Sequence, residues 1–130
     1  MKDTDFQRIQ HIKTYCEDIA ETVVRFGNDY NIFESDKDFI NSVSMSMVQI
    51  GELSAGLSDA FKDATRYQIQ WGALKGMRNL FDHAYISMNK SVIWESATRD
   101  VPAVLDFCVK IIEQNEEVMD QKQDMGMKME

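Results

Sequence analysis

Between Gly76 and Tyr85 the chain reads GMRNLFDHAY, and Arg78, Asn79, Asp82, His83 and Tyr85 bring to it groups that can bind or move charge. An ordinary surface helix fills its polar face with Glu and Lys, which are good helix formers with little chemistry beyond solvation. An imidazole with a pKa near about 6.5 can take a proton from a hydroxyl, or return one to a leaving oxygen, at neutral pH. A guanidinium can grip two phosphate oxygens at once and stabilise the charge that builds there in a transition state. Together they would suit an RNA phosphodiester, with the ribose 2′-hydroxyl as internal nucleophile. No metal ion is needed for that chemistry, and DNA lacks the nucleophile.

Spacing limits how these groups can meet. On a regular α-helix Arg78 and His83 point roughly 140° apart, whereas Asn79 and His83, or Arg78 and Asp82, share a face. Either the helix distorts here, or a second copy of the chain completes the site across a two-fold axis, bringing two arginines and two histidines together. The second arrangement is the favoured one. The same residues also fit a plain surface: a hydrogen-bonded Asn79 and His83, an Arg78–Asp82 ion pair of roughly 0.3–0.5 kcal/mol, and Tyr85 as a core aromatic.

The elements that must position the motif are helical. Ile9, Ile12, Cys16, Ile19, Val23 and Phe26 recur at spacings of three and four, predicting a helix over about residues 4–26 that Gly27 and Asn28 end. Ser35 and Asp36 are capping candidates for a second helix with Phe39, Val43, Met47, Ile50, Leu53 and Leu57 on its buried side. Its small residues, Ser42, Ser44, Ser46, Gly51, Ala55 and Gly56, would let another helix approach closely. A third helix takes in Trp71, Leu74, Met77, Phe81 and Tyr85 and runs out near Asn89. Ser91 to Ala97 reads as a short helical piece, and Asp100 and Pro102 as the opening of a last long helix bearing Val104, Leu105, Cys108, Ile111, Ile112 and Val118. No strand pattern competes, so the expected class is all-α, an up-and-down bundle of four to five helices.

With 130 residues, 44% of them hydrophobic, the chain suits one domain, expected over 1–120, with 121–130 (QKQDMGMKME) as a frayed tail. The start MKDTDFQRIQ lacks the apolar core of a signal peptide, and no run approaches the roughly 20 residues of a membrane span. A cytosolic protein is expected. Cys16 and Cys108 sit among apolar neighbours, as buried thiols do. Two histidines, His11 and His83, without CxxC or HxxxH spacing, argue against a structural metal, and no cofactor motif is present.

A net charge of −8 argues against broad attraction to nucleic acid, but the charge is unevenly spread. Residues 66–99 hold five basic groups against two acidic ones, a local +3 that leaves −11 on the rest. Arg66, Lys75, Lys90 and Arg99 are therefore candidates for substrate contact around Arg78.

Arg78, His83 and Tyr85 form an R-x4-H-x-Y pattern that resembles the HEPN-domain HepT-like toxins of bacteria and archaea. IGELSAGLS at 50–58, Trp71 ahead of GMRN, and VIW at 92–94 followed by RDVP at 99–102 extend the resemblance over roughly residues 9–112. Phe81 and Asp82 stand where the family often has a small aliphatic and a less acidic residue. The resemblance implies a HEPN-type helical bundle that forms a homodimer with its motifs facing each other. It also implies metal-independent RNA cleavage by Arg78 and His83, with Asn79 in support. It further implies a type VII-like toxin–antitoxin pair, whose partner is a minimal nucleotidyltransferase that transfers AMP to the motif tyrosine, here Tyr85. The alternative is a non-catalytic helical module that docks a nucleotidyltransferase.

Overall fold

The computed structural model describes residues 1–79 and 90–129, the side chains of 126–129 apart. The fold is all-α, and among the described residues there is no strand. Helix α1 (Asp3–Arg25) buries Ile9, Ile12, Cys16, Ile19 and Val23 along the anticipated stripe. Asp3 and Asp5 in its first turn and Arg25 in its last complement the helix dipole. It stops where Gly27 (φ 100°) and Asn28 (φ 50°) enter the left-handed region, which a glycine tolerates without strain and an asparagine better than most residues.

Two short helices, α2 (Tyr30–Ser35) and α4 (Asp59–Ala64), flank α3 (Lys37–Ala55). Asp36 caps α3 by accepting hydrogen bonds from the backbone N–H groups of Asp38 (2.9 Å) and Phe39 (3.2 Å). Ser35, the other capping candidate, ends α2, and its hydroxyl donates to the Asn31 carbonyl at 3.0 Å. Of the six apolar residues expected on the buried side of this helix, Leu53 is only partly buried, and Leu57, though buried, lies past the helix end at Ala55.

Past α4 come α5 (Trp71–Gly76) and a 3-10 turn over Met77–Asn79. Of the third helix anticipated from Trp71 to Asn89, Trp71–Gly76 is α-helical and Met77–Asn79 is a 3-10 turn, while residues 80–89 lie outside the described residues. Helix α6 (Lys90–Glu95) runs through a π turn (Ser96–Asp100) into α7 (Val101–Met129). Glu95 (φ −61°, ψ −44°) and Val101 (φ −60°, ψ −43°) both keep helical dihedrals, so the last long α-helix, with Asp100 just ahead of it and Pro102 in its first turn, follows directly on the π turn. Pro102 has no N–H to give the Thr98 carbonyl, and its ring would crowd that oxygen; the widened turn relieves both. Helix α7 continues without a break across residue 120.

Helix α1 packs against α3 on one side and α7 on the other, while α3 also carries α5 and the 3-10 turn. One aromatic cluster joins Phe26, Phe33, Phe39 and Trp94, with Phe26 stacked on Phe39 at 4.5 Å and Phe33 edge-on to Phe39 at 5.0 Å. A second joins Phe61, Trp71 and Phe107 at 5.7–6.4 Å between ring centres. This second cluster forms the floor of α5 and so fixes the helix that leads to Arg78.

Candidate active site

Trp71 anchors the segment from below. Its ring is 7% exposed, and its Nε1–H donates to Thr65 Oγ1 at 2.9 Å; Thr65 in turn donates to the Phe61 carbonyl at 2.8 Å. This buried relay ties the end of α4 to the start of α5. A partnered indole N–H also removes the cost, about 1–3 kcal/mol, of burying it alone.

Leu74 faces the core from the middle of α5, and the helix meets α3 where α3 carries Gly51. A Cβ on Gly51 would overlap the Arg78 backbone nitrogen, lie 3.1 Å from the Arg78 Cα and 3.0 Å from the Leu74 carbonyl oxygen. The 3-10 turn therefore sits directly on the backbone of α3. Small residues in α3 were expected to admit a close neighbour, and at Gly51 one does.

With its backbone held in this way, Arg78 turns its side chain to solvent, as does Asn79. Among the described residues Arg78 enters no salt bridge or side-chain hydrogen bond, and its guanidinium carries five donors that can hold a ligand. The α-helical geometry used to separate Arg78 from His83 does not hold at Arg78, because the backbone tightens to 3-10 there. His83, Tyr85 and Asp82 lie outside the described residues, and so do the pairs Asn79–His83 and Arg78–Asp82.

The other candidate cations differ in availability. Lys75 on α5 is exposed and close in sequence to Arg78. Arg66 is exposed in the turn between α4 and α5, where it donates to the Tyr67 hydroxyl at 2.9 Å. Lys90 donates to the Glu34 carbonyl at 3.0 Å and so serves the C-terminal end of α2. Arg99 pairs with Glu95 at 3.0 Å, with both side chains well exposed, an interaction of a few tenths of a kcal/mol that a ligand could displace. Arg66, Lys75 and Arg78 thus occupy one continuous stretch, while Lys90 and Arg99 are engaged on neighbouring elements.

Sequence reasoning did not single out Thr65 or Tyr67. Thr65 is buried because of a hydrogen bond six residues away. Tyr67, a large aromatic that the structure leaves 89% exposed, is the more telling omission. Among the described residues no group of three His, Cys, Asp or Glu side chains gathers as a metal cage, and no helix is long and apolar enough to cross a membrane.

Comparison with known proteins agrees with the motif. The chain is 30% identical over 108 residues to a protein provisionally named an RNase in Caldanaerobacter subterraneus subsp. tengcongensis, covering 83% of this chain and 93% of that one. It is 28% identical over 98 residues to a protein provisionally named an RNase in Methanocaldococcus jannaschii, covering 72% and 89%. A protein provisionally named ribonuclease HepT in Thermococcus cleftensis is 30% identical over 97 residues, covering 71% and 87%. No solved structure matches significantly. A family model described as ribonuclease HepT-like matches residues 12–111, a span that holds α3, the braced 3-10 turn and the whole R-x4-H-x-Y pattern. The chain belongs to the HepT-like ribonuclease family.

Proposed function

We propose that this protein is a metal-independent endoribonuclease toxin of a type VII-like HEPN/nucleotidyltransferase pair, acting in the cytoplasm as a homodimer. The observation that carries the reading is Arg78. Its guanidinium is exposed and has no side-chain partner among the described residues, on a turn braced against Gly51, in a chain whose relatives are named ribonucleases. In the reaction His83 removes the proton of the ribose 2′-hydroxyl, whose oxygen attacks the adjacent phosphorus. The P–O5′ bond breaks, the 5′-oxygen receives a proton, and a 2′,3′-cyclic phosphate remains. Arg78 holds the non-bridging oxygens as their charge grows, and Asn79 supplies a further hydrogen bond. Two chains facing across a two-fold axis bring Arg78 and His83 into one groove.

The partner nucleotidyltransferase would transfer AMP from ATP to the Tyr85 hydroxyl, releasing pyrophosphate. The added phosphodiester places bulk and negative charge where substrate phosphate binds, which silences the site.

The test is cleavage of an unstructured RNA by the purified protein in excess chelator. Arg78→Ala and His83→Ala should each lower the rate by roughly a hundredfold or more while the dimer persists. Unchanged cleavage in Arg78→Ala would refute the assignment. Co-expression with the neighbouring nucleotidyltransferase should add the mass of AMP less water to the peptide bearing Tyr85, and a modified protein that still cleaves RNA would refute the silencing.

A further inference from the structure

The turn from Thr65 to Ile69 has features the cleavage chemistry does not use. Its inner side is pinned, since Thr65 accepts from Trp71, and the backbone N–H groups of Gln68 and Ile69 both donate to the Thr65 carbonyl, at 2.9 and 3.2 Å. Its outer side presents Tyr67 almost fully to solvent. That ring is nonetheless restrained: the Arg66 guanidinium lies 4.8 Å from its centre and donates to its hydroxyl. At such an exposed site the contact is worth only about 0.5–1 kcal/mol, while the ring's apolar face stays in water. An exposed, oriented aromatic beside a guanidinium is how proteins stack an unpaired base.

Beside this turn, and reaching to Met77, opens a pocket of about 350 Å³. Leu74, Met77 and Val104 give it apolar walls, and Gln68, Gln70 and Asp100 add polar groups. A nucleobase has the matching character, with two apolar faces and an edge of donors and acceptors. The carboxylate of Asp100 disfavours a phosphate in the pocket but accepts hydrogen bonds from a base edge, while the two amides can both donate and accept. Phosphate has its own place nearby, because Met77 in the wall precedes Arg78 in the chain, and Lys75 and Arg66 are exposed on the same stretch.

We propose that Tyr67 and this pocket form a nucleobase subsite, which holds an unpaired base of the RNA strand whose scissile phosphate lies at Arg78. The subsite rests on the ribonuclease reading above and narrows it to single-stranded substrates, because a paired base can neither stack on Tyr67 nor enter the pocket.

The test is steady-state cleavage of a short unstructured oligoribonucleotide, and of the same strand in a duplex, by the wild-type dimer, Tyr67→Ala and Tyr67→Phe. Tyr67→Ala should raise KM roughly tenfold with kcat little changed, as expected for one lost base–aromatic stack. Tyr67→Phe keeps the ring and should restore KM to within about twofold. The duplex should be cut poorly by all three proteins. Wild-type cleavage with an unchanged KM in Tyr67→Ala, or equal cleavage of duplex and single strand, overturns the subsite and leaves the ribonuclease reading standing. A wild-type dimer that neither binds nor cuts either RNA overturns both.

Discussion

Gly51 and Arg78 meet backbone to backbone, so closely that even a methyl group on residue 51 would occupy the space of the Arg78 nitrogen. The obstacle is main chain, which cannot swing aside as a side-chain tip can. Gly51→Ala should therefore push the 3-10 turn outward. Helix propensity would favour alanine by up to about 1 kcal/mol, but overpacking costs about 1–3 kcal/mol, so a net loss of stability is expected. The larger effect should be on cleavage, since a displacement of about 1 Å at a catalytic group can cost roughly a hundredfold. Gly56→Ala is the control, because the new Cβ would meet the Arg8 guanidinium at 2.6 Å, the movable end of a long side chain. Thermal melts and cleavage rates should separate the two variants, and an equal response would remove Gly51 from the account of the site.

Thr65 makes a second prediction about position. Thr65→Val keeps the shape of the side chain but leaves the buried Trp71 N–H without its acceptor, at a cost of about 1–3 kcal/mol. Thr65→Ser retains the oxygen and should recover most of that loss. Because the same residue pins the turn bearing Tyr67, Thr65→Val should also raise KM for RNA. Denaturant unfolding together with KM measures both, and a Thr65→Val protein as stable as wild type would show that the relay contributes nothing.

How much of this could be read from residues alone follows from the length of each element. Helices α1, α3 and α7 run for 23, 19 and 29 residues, enough turns for the three-and-four spacing of Ile9 to Val23 or Phe39 to Ile50 to declare a buried face. Helices α2 and α4 have six residues each, less than two turns, too short for the spacing to declare a face, and beyond the caps Asp29 and Ser58 it is tertiary contacts such as Phe33 on Phe39 that hold them. The π turn was hidden because Pro102 serves equally well as the first-turn proline of a new helix. In the site, residue type identified Arg78 and Asn79 as polar groups on an otherwise apolar segment. Charge counting could not tell Arg78, which has no side-chain partner among the described residues, from Lys90, whose ammonium is spent on a carbonyl 56 positions away. Gly51 carried a legible signal, that of a small residue on a buried helix face, but not the identity of the backbone it admits.

Asp5 offers a test of how the bundle is closed at one end. Its carboxylate is 2% exposed and accepts from the Ser58 backbone N–H at 2.8 Å and from the Ser58 hydroxyl at 2.6 Å. Ser58 also caps α4 by accepting from the Phe61 N–H at 3.2 Å. Asp5→Ala would leave two donors of the half-buried Ser58 without their acceptor and should cost about 2 kcal/mol. Ser58→Ala removes the cap but leaves Asp5 the backbone donor, and should cost less, about 1 kcal/mol. Urea titration of the two variants checks the order, and the reverse order would mean that the cap, rather than the tie from α1, holds this end together.

The buried thiols set a prediction in pH. Burial pushes the Cys16 thiol far above its ordinary 9.0, with the neighbouring Cys108 adding to the shift. Burial likewise pushes Cys108 up to about 12, against a smaller opposing pull from Lys13. In the unfolded chain both thiols ionise above about pH 9, while in the folded protein they stay protonated. The unfolded state then binds fewer protons, so stability is unaffected below about pH 9 and falls as pH rises toward 12, with a slope approaching about 1.4 kcal/mol per pH unit for each thiol. Lysines and tyrosines titrate in the same range, so the measurement is a comparison. The double variant Cys16→Ala, Cys108→Ala should be less stable than wild type near neutrality, having lost buried sulfur, and the gap should narrow as the pH is raised through 10. Denaturant unfolding in reducing buffer at several pH values gives that gap directly. Parallel stability curves for the two proteins would mean that the folded interior lets these thiols ionise as readily as water does.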